Sequence, residues 1–350
     1  MGIFDFLKKK KDKEITKENE TINNLSKNED GSRQYSTNRT IFTGDETITF
    51  VTLPSNLQTI QESMFEGCIN LKEIVIPKNV ISIEKNAFKG CTSLQKVTFE
   101  QSHKHLDIGQ SAFEDCINLK EVNFRKTTQA IEKNAFKNCS SLVLQNLEET
   151  DVCIIEKNAF ANAKLNSTFR LPNSIEEISD NAFSHTAIEK ILFDRKYCKL
   201  QKIGEGAFAG TLLNKLTLPN GIVEIPANAF AKCELLKEVD ISENVRLIGT
   251  RAFFACPKLS KVNFEASDKK LLISEEAFEG CFSLENVFFG TNVSAYENSF
   301  SDSTHVNPST VEDFVLNNTN FSLDKLLEVE NKSFTQFQED RKTNFYKNER

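Results

Sequence analysis

SMFEGCINLKEIVIPKNVISIEKNAFKGC, residues 63–91, carries the architecture, because it ends on a variant of its own first six residues. Met64-Phe65-x-Gly67-Cys68 returns as Ala87-Phe88-x-Gly90-Cys91. Farther along the chain the same word stands at SAFEDC (111–116), NAFKNC (134–139), NAFAKC (228–233), AFFAC (252–256) and EAFEGC (276–281). Its anchor falls at Phe65, Phe88, Phe113, Phe136, Phe160, Phe183, Phe208, Phe230, Phe253, Phe278 and Phe300, with gaps of 22–25 residues. The chain holds 29 Phe against 4 Tyr and no Trp, so one aromatic serves again and again as a packing unit. A period of this length marks a stacked array: no unit buries its own apolar face, but neighbours together bury a continuous core.

Within a unit the apolar residues fall at i, i+3 and i+5, as in Leu71, Ile74 and Ile76, followed by Pro77. Ile48, Val51, Leu53 and Pro54 fit the same pattern, so a strand opens the array ahead of the first anchor. Positions i+3 and i+5 share one face of a strand, and the proline stops it. A second alternation, Val80, Ile81 and Ile83, predicts an extended return, and the polar turn Glu84-Lys85-Asn86 leads into a helical turn at Ala87-Phe88. Three units are longer, inserting QSHKH (101–105), RKYCK (195–199) and ASDKK (266–270), which places loops on one side of the array. Thr186 and Thr211 replace the repeat cysteine. Gln145 stands where the strand near Leu142 needs an apolar residue, which predicts a bulge or kink.

The recurring pattern IxxxAFxxCxxLxxVxIP resembles the BspA-like class of leucine-rich repeats, over about residues 46–304. The resemblance implies a leucine-rich repeat solenoid, a curved, β-rich array of about 11 units with a parallel sheet on one face. It also implies adhesion at a cell surface or the binding of a host protein.

The flanks read differently. Residues 1–45 are rich in Lys, Glu, Asn, Ser and Thr and lack the apolar surface that would offset ordering entropy, so a disordered charged tail is expected. Residues 305–350 read as a helical cap and frayed tail. Ser309 or Thr310 would be its N-cap, and Val311, Phe314, Val315, Leu323, Leu326 and Leu327 would close the sheet end. The start, MGIFDFLKKKKDK (1–13), has no secretory pattern, and its short apolar patch beside lysines offers at most a weak membrane contact. With no run of the roughly 18 apolar residues a membrane helix needs, a cytoplasmic protein is expected, with the cell surface as the alternative.

Chemistry is sparse. A net charge of −7 argues against general nucleic-acid binding. Cys68, Cys91, Cys116, Cys139, Cys233, Cys256 and Cys281 share one repeat position with parallel Cβ vectors, so they read as buried thiols rather than disulfides. Cys153 and Cys198 lie off that row. His103, His105 and Asp107 fall short of the closed set of ligands that zinc wants. No phosphate loop or nucleophile elbow is present, and the pairs Glu176-Glu177 and Glu275-Glu276 read as solvated turns. No cofactor, metal or catalytic residue is expected.

The remaining candidate is the outward face of the strands. One row of it reads Glu73, Lys96, Glu121, Leu144, Thr168, Lys190, Lys215, Glu238, Lys261 and Asn286, and the next row includes Val75, Thr98, Asn123, Arg170, Leu192, Thr217, Asp240 and Asn263. Charges alternate along the first row, so cross-strand pairing accounts for much of it without a ligand. Arg170, Lys190 and Lys215 form its most basic part. A non-enzymatic interaction module, binding a protein or glycan through this face and the inserted loops, is the leading reading. A spacer whose tail does the binding is the alternative, and an enzyme is the rival from another class.

Overall fold

The computed structural model describes residues 42–303, apart from 195–196, 266, 268, 289–292 and 297, together with the backbone of 26–27 and 33–34. The expected disordered tail therefore lies almost wholly, and the expected helical cap wholly, outside the described residues.

The described chain winds into a parallel β-solenoid in which each unit lays down two short strands. The first ladder runs through Val51–Thr52, Glu73–Ile76, Lys96–Phe99, Glu121–Asn123, Val143–Leu144, Thr168–Arg170, Lys190–Leu192, Lys215–Thr217, Glu238–Ile241, Lys261–Phe264 and Asn286–Phe288. The extended return forms a second parallel ladder in two stretches, from Thr59–Ile60 to Lys202–Ile203 and from Glu224–Ile225 to Val293–Ala295, so the sheet is not confined to one face as the sequence led us to expect. Its cause is a column of buried isoleucines: Ile60, Ile83, Ile108, Ile131, Ile155, Ile178 and Ile203 sit in direct register, and the backbone pairs beside them. At the start of the array, Arg33–Gln34 pairs in parallel with Val51–Thr52.

The anchor phenylalanines stack. Consecutive rings from Phe65 to Phe300 lie with centroids 5.0–5.5 Å apart and planes within 10°. The interval is close to the roughly 4.8 Å strand spacing, so the backbone sets the pitch and the rings follow it. Backbone bonds such as Phe65 N–H to the Ala87 carbonyl and Phe88 N–H to that of Ala112, both 2.8 Å, hold each turn to the next. Phe42 stacks on Phe65 at 5.3 Å, so the ring column begins four residues before the expected array boundary of 46.

The turn before each anchor is not helical. Asn86, Asn134, Asn158, Asn181 and Asn228 have φ of 54–59°, the left-handed region that asparagine tolerates better than most residues. A second left-handed residue follows four positions later, as at Gly67, Gly90 and Asn138. Among the described residues the sole helical segment is a 3₁₀ turn at Leu147–Glu149. The glutamate of IEKNAF ties its turn to the preceding one. Glu84, Glu132 and Glu156 accept the backbone N–H of Glu62, Gln110 and Lys133, each one unit back, at 2.9–3.0 Å.

The cysteines are explained by one hydrogen bond. Each thiol reaches back one unit to the anchor carbonyl: Cys91 to Phe65 at 3.0 Å, Cys116 to Phe88 at 3.1 Å, and Cys139 to Phe113 and Cys256 to Phe230 at 3.2 Å. The position needs a small, largely apolar side chain with one weak donor, which is what a thiol is. Thr186 and Thr211 donate within their own units, to Phe183 and Phe208 at 2.9 Å.

The first ladder is interrupted on either side of Thr168–Arg170 and Lys190–Leu192, which form a panel of two strands. The irregularity foreseen near Leu142 opens it. The strand ends at Leu144, which occupies the register of Val122, and Leu147 on the 3₁₀ turn is buried in its place farther on. Side-chain amides replace the missing backbone ladder. Asn146 accepts from Phe124 N–H at 2.8 Å and donates to its carbonyl at 2.9 Å, and Asn166 does the same to Leu144 at 3.0 and 3.1 Å.

Arg125 stands where other units have proline, and it is fully buried. Its guanidinium donates to the carbonyls of Glu100 (3.0 Å), Val80 (2.7 Å) and Pro77 (3.1 Å), crossing two units. Burial pulls its pKa below the ordinary arginine value. Nothing in the one-residue departure from the repeat marked it as a core residue.

Candidate functional site

Alternation along a strand puts the i+3 and i+5 residues inside and the intervening ones outside. The pairing gives the outward row residue by residue: Glu73 opposite Lys96, Lys96 opposite Glu121, Thr168 opposite Lys190, Lys215 opposite Glu238, Glu238 opposite Lys261, and Lys261 opposite Asn286. Leu144 is the exception. It is buried, and Val143 takes the place beside Glu121, because the strand is slipped by one residue against its neighbour. Arg170 stands opposite Leu192 in the adjoining row.

Electrostatics divides this face into three. On one flank Lys96 pairs with Glu121 at 3.2 Å, both half-exposed. On the other, Glu238 lies between Lys215 (3.2 Å) and Lys261 (3.3 Å), and Lys215 also reaches Asp240 at 3.0 Å. Asp240 and Glu238 in turn hold the Lys215 pKa above its ordinary value, and Lys215 above all holds Glu238 below. Exposed pairs of this kind contribute at most about 1 kcal/mol each, so they neutralise the flanks more than they stabilise them. In the middle, Arg170 and Lys190 are exposed and, among the described residues, belong to no ion pair. Val75 and Phe50, 48% and 45% exposed, add an apolar spot at the N-terminal end.

Two of the three inserted loops are one motif. In residues 100–104 and 265–269 the serine oxygen accepts the lysine N–H at 3.2 Å, while the lysine ammonium donates to an asparagine one unit back, Asn79 at 3.2 Å and Asn244 at 2.9 Å. Those lysines are therefore engaged. A recess beside the second loop, lined by Ser242, Phe264, Lys269 and Leu271, holds about 20 Å³, room for one water rather than a metabolite.

No group of three or more His, Cys, Asp or Glu among the described residues is arranged to hold a metal ion. The nine cysteines are free thiols. Burial, reinforced by the neighbouring Cys91, pushes Cys68 up to about 12, and Cys139 is raised as well, so these two thiols stay protonated and unreactive at neutral pH. An aromatic disulfide reagent added to the folded protein is expected to modify at most the two partly exposed thiols, Cys153 and Cys198, and all nine after unfolding. Rapid native reaction at three or more sites, read by absorbance, would contradict this packing.

A parallel solenoid with two strands per unit and a stacked aromatic column is the architecture of a repeat protein. The profile of the BspA type leucine-rich repeat region (6 copies) matches at residues 35–153, 104–202, 153–285 and 201–325, and the chain belongs to that family. Among solved structures it is similar to a leucine-rich repeat protein from Bacteroides ovatus, 21% identical over 79% of this chain and 82% of that one, with a TM-score of 0.53. It is also similar to a leucine-rich cell surface protein from Faecalibacterium prausnitzii (21% identity, 87% and 100% coverage, TM-score 0.44). A third is the pneumococcal vaccine antigen PcpA (20% identity, 68% and 63% coverage, TM-score 0.49). No curated protein matches.

Proposed function

We propose that this protein is a non-enzymatic interaction module which holds a protein partner on the outward face of its first ladder. The observation that supports this most is the register kept within each panel of that face. Successive paired strands present Lys96 and Glu121 on the first panel, Arg170 and Lys190 on the second, and Lys215, Glu238 and Lys261 on the third. Extended surfaces of this kind are what stacked repeats offer to partners. The inserted loops contribute less than their composition suggested, since two of them are tied to their own array. A protein fits better than a small molecule, because the face is open and the recess beside it takes only water.

Nine free thiols suit a reducing compartment, which favours a place inside the cell over the surface role that the family resemblance implies. No helix among the described residues is long and apolar enough to cross a membrane.

A photo-crosslinking residue placed at Thr98, Thr168 or Thr217 of the full chain, in its own cells, is expected to trap a discrete protein adduct, whereas the same residue at Lys202 or Lys232 is not. Adducts from Lys202 and Lys232 alone would move the site to another side of the solenoid. Protease treatment of intact cells before irradiation is expected to leave the adduct intact; its loss would place the array at the surface.

A further inference from the structure

Within that reading, on which this inference rests, the middle panel differs from its flanks. Thr168–Arg170 and Lys190–Leu192 pair with each other and are cut off from the ladder on both sides. On the N-terminal side the Asn166 amide bridges the seam. On the other, one backbone bond, Asn214 N–H to the Glu189 carbonyl at 3.0 Å, ties the strand starts. The panel's outward residues are Thr168, Arg170, Lys190 and Leu192, two cations and no acid. Glu189, at the start of the second strand, forms no ion pair with Lys190 among the described residues.

We propose that this panel is the docking point for a short acidic peptide segment of a partner protein, bound in extended form with carboxylates at alternate positions. Arg170 and Lys190 lie on neighbouring strands and two residues apart in register, a diagonal of about 8 Å from strand spacing and rise. Alternate side chains of an extended peptide project to one side about 6.6 Å apart, which two long, flexible cations span without strain. The guanidinium grips a carboxylate with two parallel bonds, and the ammonium accepts the second as a point charge. Thr168 and Leu192 supply a hydroxyl and a partly buried apolar surface between them.

The flanks decide against a long polyanion such as a sulfated glycan or a nucleic acid. Such a chain would leave the panel over Glu121 on one side and Glu238 with Asp240 on the other, where the local cations are already spent. Neutralised flanks offer no further attraction to a continuous run of negative charge, whereas a short acidic motif needs none beyond the panel.

The test uses the full chain and a fluorescent synthetic peptide with Glu at alternate positions, its Gln counterpart, and a heparin-derived hexasaccharide, with anisotropy as the readout. The Glu peptide is expected to bind at least roughly tenfold more tightly than the Gln peptide, and to weaken as salt rises from about 50 to about 200 mM. The double variant Arg170→Gln/Lys190→Gln is expected to lose that advantage, while Lys96→Gln/Lys261→Gln keeps it. Circular dichroism and the melting temperature of both variants check the fold, and charge reversal by Arg170→Glu/Lys190→Glu gives a second, independent loss. Equal binding by the panel variant, equal loss in the flank variant, tighter capture of the hexasaccharide than of the Glu peptide, or no binding at low salt would each overturn the proposal. If the peptide fails while crosslinks still form at Thr98 and Thr217, the acidic docking point is wrong and the interaction face stands. If neither occurs, both fall.

Discussion

Replacing Phe136 by alanine is expected to destabilise the protein by about 3–5 kcal/mol, the range for removing a fully buried phenylalanine. Phe136 has no exposed surface and three ring neighbours: Phe113 and Phe160 stacked at 5.1 and 5.4 Å, and Phe124 edge-on at 5.7 Å and 88°. The cavity cannot close by a small shift, because the flanking units are held at their pitch by backbone bonds, Phe113 N–H to the Ala135 carbonyl and Phe136 N–H to that of Ala159. Denaturant unfolding of the full chain, followed by circular dichroism, measures the loss. Phe136→Leu, which keeps most of the volume, is expected to cost less than half as much. Near-native stability of Phe136→Ala would mean that the column does not carry the core. A repeat array can lose cooperativity when one link is weakened, so a second transition in the Phe136→Ala curve would itself locate the damage between the two halves.

Arg125→Met is the second large effect, expected at about 4 kcal/mol or more. A methionine fills comparable space but leaves the carbonyls of Val80 and Glu100 without the donor that now satisfies them, and that of Pro77 with only the Val80 N–H at 3.0 Å. Each buried unsatisfied acceptor costs about 1–3 kcal/mol. Arg125→Lys is the informative comparison. One ammonium cannot reproduce a planar fork whose nitrogens bond three separate carbonyls, so lysine is expected to restore only a minor part of the loss. Full rescue by lysine in thermal unfolding would mean that the charge matters and the geometry does not.

These two residues mark what a sequence discloses and what it withholds. Phe136 was legible because its position recurs, and recurrence converts a weak local preference into a register. The same holds for the outward row: once Leu71, Ile74 and Ile76 fix one strand, Glu73 and Val75 follow by alternation, and the pairing of Glu73 with Lys96 follows by stacking. Arg125 occurs once. No periodicity announces it, and a lone arginine after a strand reads as solvated until its three carbonyl partners, 25–48 residues away, are known. Leu144 fails for a related reason. A strand slipped by one residue exchanges its inward and outward positions, and only the observed register, with Leu144 beside Val122, reveals the slip. The second ladder was half visible: the alternation at Val80, Ile81 and Ile83 announced extended chain, but pairing between two-residue strands depends on neighbours that composition does not show. The helical turn expected at the anchor misread its asparagines, whose place there is a left-handed backbone. As for the site, the row of charges could be read from spacing, whereas the division between spent and unspent cations required the distances.

The asparagine clamps have a consequence for how such a chain grows and shrinks over generations. A one-residue slip of a strand moves its inward side chains to the outward face, so a ladder resists a change of length within a strand. At Asn146 and Asn166 side-chain amides grip single backbone positions of the preceding unit where the first ladder thins out, while the second ladder runs on from Thr128–Ile131 through Ile154–Ile155 to Glu177–Ile178. The seam is therefore a place where a residue can be gained or lost in the first ladder while the second ladder keeps its partners on both sides.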